Sequence, residues 1–167
     1  MKHQLTPNDI KKMEEEIEHR KLVMRPELIE AVKEARAQGD LSENFEYYAA
    51  KREKNRNEGR IRYLDRMIRT AEIVSVESHE DEAGMDNTLE LFFEEEGETE
   101  TYRLVTTVRE DPMKGLISVE SPIGKAVFGH KEGDRVYVEI AKDQGFHVQI
   151  KKIIKTVDEG TDRLRSF

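Results

Sequence analysis

The first third of the chain places apolar residues at steps of three and four, the spacing that brings side chains onto one face of an α-helix. Thr6-Pro7-Asn8-Asp9 combines a capping residue, a proline suited to the first helical turn and an acid facing the positive end of the helix dipole. This combination predicts that a helix begins near Pro7. Its apolar face consists of Ile10, Met13, Ile17, Met24, Ile29, Val32 and Ala35, with Arg20 in one position.

The apolar face changes phase near Pro26, which lacks a backbone N–H and crowds the preceding turn. We therefore expect a kink at this point. The helix is predicted to end at Gln38-Gly39, because glycine commonly follows a helix C-terminus.

A second helical pattern follows and runs to about Ser75. The connection between the helices is short, so they are predicted to lie antiparallel as a coiled-coil hairpin. About 30 residues per helix, at roughly 1.5 Å per residue, give an arm on the order of 45 Å long. Residues 39–43 form its predicted tip. The second apolar face consists of Tyr47, Ala50, Lys54, Asn57, Ile61, Leu64, Ile68 and Ala71.

Beyond the hairpin domain, assigned to residues 1–76, the pattern changes to short strands separated by turns that contain Gly and Asp. We predict an α+β protein whose second domain, residues 77–157, holds an antiparallel sheet. A linker or mobile loop is predicted at 78–87, and a polar tail at 158–167. The strands are predicted at 88–94, 100–106, 116–119, 135–141 and 146–155, and a short helix is predicted to start at Ser121-Pro122 and end near Gly129.

Charged residues make up 38% of the chain and hydrophobic residues 36%, which leaves little apolar material for one deep core. A hairpin that buries only a seam fits this composition, and the long periodicity opposes disorder. The absence of cysteine excludes disulfides and thiolate metal sites. No apolar run approaches the roughly 18 residues of a membrane span, so we expect a cytoplasmic protein that does not contact a membrane.

Three carboxylates lie within seven residues around the predicted tip, at Asp40, Glu43 and Glu46. One interpretation is structural: Asp40 caps the second helix, and Glu43 reaches back as in a capping box. The other is functional, because carboxylate oxygens suit Mg²⁺. Two acids bind Mg²⁺ weakly alone, but beside a metal held by another protein's aspartates they could retain a second ion and position an attacking water. The spacing leaves both interpretations open, and they are compatible.

The second helix carries an excess of positive charge, although the net charge of the chain is −8. At about 100° per residue, the arginines at 52, 56, 60, 62 and 66 are predicted to form a basic face turned away from the apolar seam. This face is either an ordinary solvated surface or a track for nucleic-acid phosphates behind the tip. Tyr47 and Tyr48 lie close enough to stack on a base, although Tyr47 also occupies a seam position.

Three stretches of the chain resemble the Gre family of transcription elongation (transcript-cleavage) factors, the GreA/GreB-like proteins. Residues 35–51 resemble the family's tip signature, 58–61 a downstream helix motif, and 117–126 a motif of the C-terminal domain. These stretches are ARAQGDLSENFEYYAAK, EGRI and ISVESPIGKA. The similarity extends over roughly residues 5–155 in the same order.

The resemblance implies a coiled-coil hairpin and an FKBP-like domain that docks on bacterial RNA polymerase near its secondary channel. It implies action on backtracked complexes, in which the 3′ end of the nascent RNA is extruded. It further implies that the polymerase's own active site cuts the bond, so that the factor would not itself be an enzyme. By the same resemblance, Mg²⁺ would be held jointly with the polymerase and not stably by the factor alone.

Individual residues match the family's functional positions. Asp40 and Glu43 match its two essential acids in type and spacing, and are assigned as catalytic residues and shared metal ligands. We assign RNA binding to a basic face of Lys51, Arg52, Arg56 and Arg60, and polymerase docking to Ser121, Pro122 and Ile123. The factor is expected to act as a monomer.

Three features depart from the family pattern. Phe45 stands where members often have a small residue, which could stiffen the tip or add stacking. Residues 106–112, TTVREDP, replace a glycine-containing turn, and the tail after Lys155 is longer than expected. These departures bear on polymerase affinity more than on chemistry.

Two other functions are compatible with parts of the pattern. A Gre-like regulator could block the polymerase channel without stimulating cleavage, although Asp40 and Glu43 argue against it. A prolyl isomerase would use the FKBP-like domain, but such pockets are lined with aromatic residues, and this domain has no Trp and few aromatics.

Overall fold

The computed structural model describes residues 2–39 and 44–166, so Asp40 and Glu43 lie outside the described residues. The chain forms two compact units, a hairpin unit of Ile10–Ala71 and a sheet unit that contains His3–Asp9 and the residues from Glu72 onward. The division therefore follows Ala71, whereas the sequence predicts a boundary near residue 76. No described helix has the length and apolar character needed to cross a membrane.

Three helices form the hairpin and its N-terminal start: α1 over Pro7–His19, α2 over Arg25–Arg36 and α3 over Phe45–Thr70. The predicted start at Pro7 is confirmed. The Thr6 N–H donates to Asp9 Oδ2 at 2.9 Å, and the Asp9 N–H donates to Thr6 Oγ1 at 3.2 Å. The two residues thus satisfy two amides that a helix N-terminus leaves without partners.

A π-helical turn over Arg20–Met24 separates α1 from α2. The Arg25 N–H donates to the Arg20 carbonyl, five residues back instead of four. Pro26 has no N–H to donate, and its ring crowds the turn before it, which favours the wider turn at this point. The inserted residue accounts for the phase change that the sequence shows near Pro26.

The predicted antiparallel hairpin is confirmed by its cross-helix contacts. Asn44 bonds to Ala35, Arg25 pairs with Glu58, and Glu16 pairs with Arg60, so partners move apart in sequence away from the tip. The predicted seam is buried or half-buried along both helices. Its buried apolar residues in α2 and α3 are Ala35, Tyr47, Ile61 and Leu64, and Met67, which was not predicted as a seam residue, is buried as well.

The sheet unit contains a five-stranded sheet with strand order β5-β4-β3-β7-β6. Alternate side chains of its central strands point into one core, with Leu89, Leu91, Val148 and Ile150 fully buried. The strands are β3 Thr88–Phe93, β4 Glu98–Val105, β5 Leu116–Ser118, β6 Arg135–Ala141 and β7 Gln144–Ile154, preceded by β1 Gln4–Leu5 and β2 Glu72–Ile73. All five predicted strands are present within about two residues of their predicted bounds.

The prediction of a wholly antiparallel sheet is wrong at one edge, where β5 pairs parallel to β4. Two 3₁₀ turns, Thr107–Arg109 and Pro112–Lys114, connect these strands. This longer connection brings β5 back in the same direction as β4, which a tight hairpin turn cannot do. The parallel pair β1 and β2 was not predicted, because two-residue strands are too short to show an alternating pattern.

Two polar segments, 78–87 and 158–166, contribute buried residues to the sheet unit. The predicted linker at 78–87 contributes Ala83 and Met85 to the core, at 1% and 4% exposure. In the predicted tail, Asp162 is buried and bonds to Arg103 and Arg109, and the Arg165 N–H donates to the Val108 carbonyl. The linker prediction for 78–87 is based on polarity, but polar groups of this segment are bonded inside the unit: the Gly84 N–H donates to Asn87 Oδ1, and the Asp86 N–H donates to the Leu104 carbonyl.

Candidate functional site

The cap of α3 is Asn44, the first described residue after the tip acids. Its Oδ1 accepts a hydrogen bond from the Tyr47 N–H at 3.0 Å, and its Nδ2 donates to the Ala35 carbonyl. One side chain therefore caps α3 and ties it to the end of α2. The structural interpretation, in which Asp40 caps the second helix and Glu43 completes a capping box, falls on residues outside the described ones, and the cap that the structure describes for α3 is Asn44.

Tyr47 packs at the base of the tip and is 9% exposed. Arg36 Nη2 donates to Tyr47 Oη at 3.3 Å, and the guanidinium lies 5.4 Å from the ring centroid. The hydrogen bond from Arg36 lowers the pKa of the Tyr47 phenol below its ordinary value. These contacts join the end of α2 to the start of α3 and fix the position at which α3 begins.

The basic face begins about two turns after the start of α3. Lys51, Arg52 and Arg56 are exposed. Arg56 pairs with Glu53 at 2.7 Å, but both side chains are more than half exposed, so this pair contributes little stability and opens easily. Three of the four residues assigned to RNA binding are therefore available to a ligand.

Arg60, the fourth, does not lie on this face. Its side chain is 9% exposed and its Nε donates to Glu16 Oε2 at 2.8 Å. At about 100° per residue, Arg60 lies some 60° from Asn57 on the seam, close enough for α1 to cover it. Its assignment to an exposed RNA-binding face is wrong, because Glu16 neutralises it between the helices.

The assigned docking residues lie where β5 leads into helix α4, Pro122–Val127. Ser121 caps this helix: its Oγ accepts from the Gly124 N–H at 3.1 Å and donates to the Ser118 carbonyl at 2.6 Å. Pro122 is exposed and Ile123 packs partly against the core. A Cβ at Gly124 would lie 2.1 Å from the Ser118 carbonyl oxygen, so the tight turn that presents Pro122 requires glycine.

Comparison with known proteins assigns both units to one family. The family model for the N-terminal region of transcription elongation factors matches residues 3–73, and the model for the GreA/GreB C-terminal region matches residues 69–155. The chain belongs to the Gre family of transcription elongation factors.

Named relatives agree with this assignment. The chain is 44% identical to transcription elongation factor GreA of Caldanaerobacter subterraneus subsp. tengcongensis, over 81% of this chain and 87% of the relative. It is 43% identical to GreA of Streptococcus sanguinis, over 92% of this chain and 96% of the relative. Among solved structures, GreA factor homolog 1 of Thermus thermophilus is 24% identical with a TM-score of 0.43, covering 92% of this chain and 99% of that one.

Sequence reasoning missed the largest fully buried side chain among the described residues of this Gre factor. Arg109, in the departing segment 106–112, is 1% exposed and donates to Asp9 at 2.6 Å, Asp86 at 2.5 Å and Asp162 at 3.0 Å. Arg103 also pairs with Asp162. The three carboxylates lie 100, 23 and 53 positions from Arg109 in the sequence, so no local spacing could have indicated the cluster.

The described residues of this Gre factor contain no group of three or more His, Cys, Asp or Glu side chains arranged to hold a metal ion. The tip acids fit Mg²⁺ by donor type, since both supply hard carboxylate oxygens. Two carboxylates fill only part of the octahedral shell that Mg²⁺ requires, so their chemistry fits a site shared with another protein.

Proposed function

We propose that this Gre factor inserts its hairpin tip into the secondary channel of RNA polymerase and stimulates cleavage of the 3′ end of backtracked RNA, which rescues arrested complexes. In this proposal Asp40 and Glu43 join the polymerase's active site, and the polymerase's own nuclease activity breaks the bond. The observation that carries it is the Asn44 cap. With the cap supplied by Asn44, helix capping no longer accounts for the two acids.

Asp40 and Glu43 would hold Mg²⁺ jointly with carboxylates of the polymerase. The metal supplies positive charge that stabilises the developing charge of phosphodiester hydrolysis. The chain's own contribution is delivery: Asn44 and the contacts of Tyr47 fix the start of α3, and thereby where the acids attach to the hairpin. Precise delivery matters, because small misplacements of reacting groups cost large factors in rate.

Lys51, Arg52 and Arg56 would bind the phosphates of the extruded RNA behind the acids. Guanidinium groups pair well with phosphate oxygens, and these side chains are exposed on α3. The loop at Ser121, Pro122 and Ile123 would dock on the polymerase near the channel entrance. Its Ser121 cap and Gly124 turn present Pro122 on a rigid base.

Stalled, backtracked elongation complexes with Mg²⁺ test the proposal directly. The wild-type chain should release short 3′ RNA fragments above the intrinsic rate. Asp40→Asn and Glu43→Gln should each lower the stimulated rate by roughly a hundredfold while docking persists. Glu46→Gln is the matched control, because it removes an exposed carboxylate from the same segment, and it should leave the rate unchanged.

If the wild type binds these complexes but releases no fragments, the cleavage proposal fails and the factor is a channel-blocking regulator. If the Asp40 and Glu43 variants cleave as fast as wild type, the acids have no part in the reaction. The first result separates the two candidate functions, and the second tests whether the two acids take part in the reaction.

The phosphate track has its own test in salt dependence. Arg52→Ala should weaken binding to backtracked complexes and lower the slope of log affinity against log salt by about 0.7. Arg69→Ala is the control, since this arginine is exposed on the same helix about 25 Å further from the tip. Equal slopes for both variants would exclude a phosphate contact at Arg52.

A further inference from the structure

Two exposed aromatic residues share a face of α3 with the exposed arginines. Phe45 is 84% exposed and Tyr48 is 45% exposed. At about 100° per residue, Phe45, Tyr48, Arg52 and Arg56 fall within roughly 80° of one another around the helix. We name these four residues the aromatic-basic stripe.

The stripe is separate from the apolar seam. Tyr47, the seam tyrosine, is 9% exposed, whereas its neighbours along the stripe face solvent. Phe45 therefore contributes little to packing within the hairpin, although burying a Phe side chain is worth about 1.5–3 kcal/mol. That free energy is available to a ligand that covers the ring.

The ring of Tyr48 is already oriented. It meets the Tyr47 ring edge to face, with centroids 5.4 Å apart and planes at 64°. Arg36 and the seam hold Tyr47 in turn. Stacking on Tyr48 therefore costs less side-chain entropy of the protein than stacking on a ring that binding must first order.

Charge and shape together indicate the chemistry of the ligand. Arginines that bind phosphates, beside aromatic rings that stack on bases, are the combination that binds single-stranded nucleic acid. The stripe extends from Phe45 to Arg56, a rise of about 16 Å along the helix, which is the length of four to five stacked nucleotides. An apolar protein surface would match the rings but not the two guanidinium groups.

We propose that Phe45 and Tyr48 form a stacking platform for the unpaired bases at the extruded RNA 3′ end, with Arg52 and Arg56 binding the phosphates behind them. This inference rests on the proposed function, because it places the same RNA on the same face of α3. The factor's preference for backtracked complexes should then depend on an aromatic ring at position 45.

The test compares binding to backtracked complexes with binding to complexes that have no extruded RNA. Both are measured with the Asp40→Asn chain, in which stimulated cleavage should be slow, so that binding can be measured separately from the proposed reaction. Phe45→Ala should weaken binding to backtracked complexes about tenfold and leave binding to the others unchanged. Phe45→Trp should restore it, because Trp also offers a flat ring.

Leu22→Ala is the matched control, since Leu22 is 68% exposed on the hairpin but lies outside the stripe. It should change neither affinity. Unchanged folding of every variant is checked by circular dichroism.

Two results would overturn the platform. If Phe45→Ala weakens both kinds of complex equally, the ring contacts polymerase protein instead of RNA. If it weakens neither, the ring has no ligand. A wild-type chain that fails to cleave but prefers backtracked complexes through Phe45 would refute the proposed function and support the platform.

Discussion

The hairpin and the sheet unit both pair arginines with carboxylates, but at different depths. In the hairpin, Glu16 bonds to Arg20 and Arg60, and the Glu16 and Arg20 side chains remain 25% and 23% exposed. In the sheet unit, Arg109 is 1% exposed, and the partner carboxylates of Asp9, Asp86 and Asp162 are at most 8% exposed. Arginine–carboxylate pairs are thus partly exposed to solvent in the hairpin and buried in the sheet unit. We call the buried group in the sheet unit, Arg103, Arg109, Asp9, Asp86 and Asp162, the dry cluster.

Two of these carboxyls, Asp86 in the sheet unit and Glu16 in the hairpin, have pKa values that shift in opposite directions. The pKa of Asp162 is lowered like that of Glu16, because its desolvation is outweighed by hydrogen bonds and attraction from Arg109 and Arg103. Burial raises the pKa of Asp86 above its ordinary value, because desolvation exceeds the attraction of Arg109. At Glu16, burial also acts to raise the pKa, but the hydrogen bonds from Arg60 and Arg20 outweigh it and lower the value. Glu16 is 25% exposed and has two arginine partners, so its desolvation does not outweigh the pairing.

The dry cluster is also incompletely bonded. Within residues 2–39 and 44–166, Asp86 Oδ2, Arg103 Nε and Arg109 Nη2 are buried side-chain atoms without a hydrogen-bond partner. A buried ion pair offsets its desolvation only when its partners are complete. The cluster therefore connects distant segments, but the loss of one member leaves the others buried and uncompensated.

Arg109→Met should produce the largest effect of this comparison. It removes the central cation and leaves Asp9, Asp86 and Asp162 facing one another, which should cost about 3–5 kcal/mol of unfolding free energy. Urea unfolding followed by circular dichroism measures the loss. Arg135→Met is the control, because the pair of Arg135 with Glu94 lies on the surface of the same unit, and its unfolding free energy should stay close to that of the wild type. Equal losses of unfolding free energy for Arg109→Met and Arg135→Met would show that buried and exposed ion pairs do not differ in this unit.

Arg60→Met should cost less, about 1–3 kcal/mol, because the carboxylate it abandons can still reach Arg20 and water. The same urea titration measures it. Arg69→Met removes a well-exposed arginine paired with Asp65 on the same helix, and should change stability by about 0.5 kcal/mol or less. If Arg60→Met lowers the unfolding free energy as much as Arg109→Met does, burial depth does not determine the size of the loss.

Asn44→Ala tests a neutral polar contact at the tip end of the hairpin. Loss of the α3 cap should cost about 1 kcal/mol. Asn44→Asp keeps the acceptor for the Tyr47 N–H but removes the donor to Ala35, so it should recover part of the loss. Thermal unfolding of the three chains measures the difference, and identical melting temperatures would show that Asn44 is not an effective cap.

The pH dependence of the seam should be the smallest effect, below about 1 kcal/mol, because water screens the pair. Since folding lowers the pKa of Glu16, its contribution is complete above the ordinary value of 4.5 and is lost as pH falls below it. Glu16→Gln should therefore lose less stability than wild type on acidification from pH 7. Glu14→Gln, at an exposed position of α1, should behave like wild type, and the same pH profile for all three chains would contradict this.

The sequence by itself determined the elements that depend on local patterns. The start of α1 at Pro7, the seam through Arg20 and Asn57, and the five strands all follow from capping residues and side-chain periodicity. The family signature around Asp40 and Glu43 is equally local. These features are readable because a helix or strand repeats its side-chain direction every few residues.

Only the tertiary structure decided which polar residues are buried together. Arg60 lies at the edge of the seam, and its burial depends on the register that places Glu16 of α1 against it. Arg109 meets carboxylates from three distant segments, and β5 runs parallel to β4 because of the connection between them. Helical periodicity gives the direction of a side chain but not the residue opposite it, because that partner is set by packing between segments far apart in the chain.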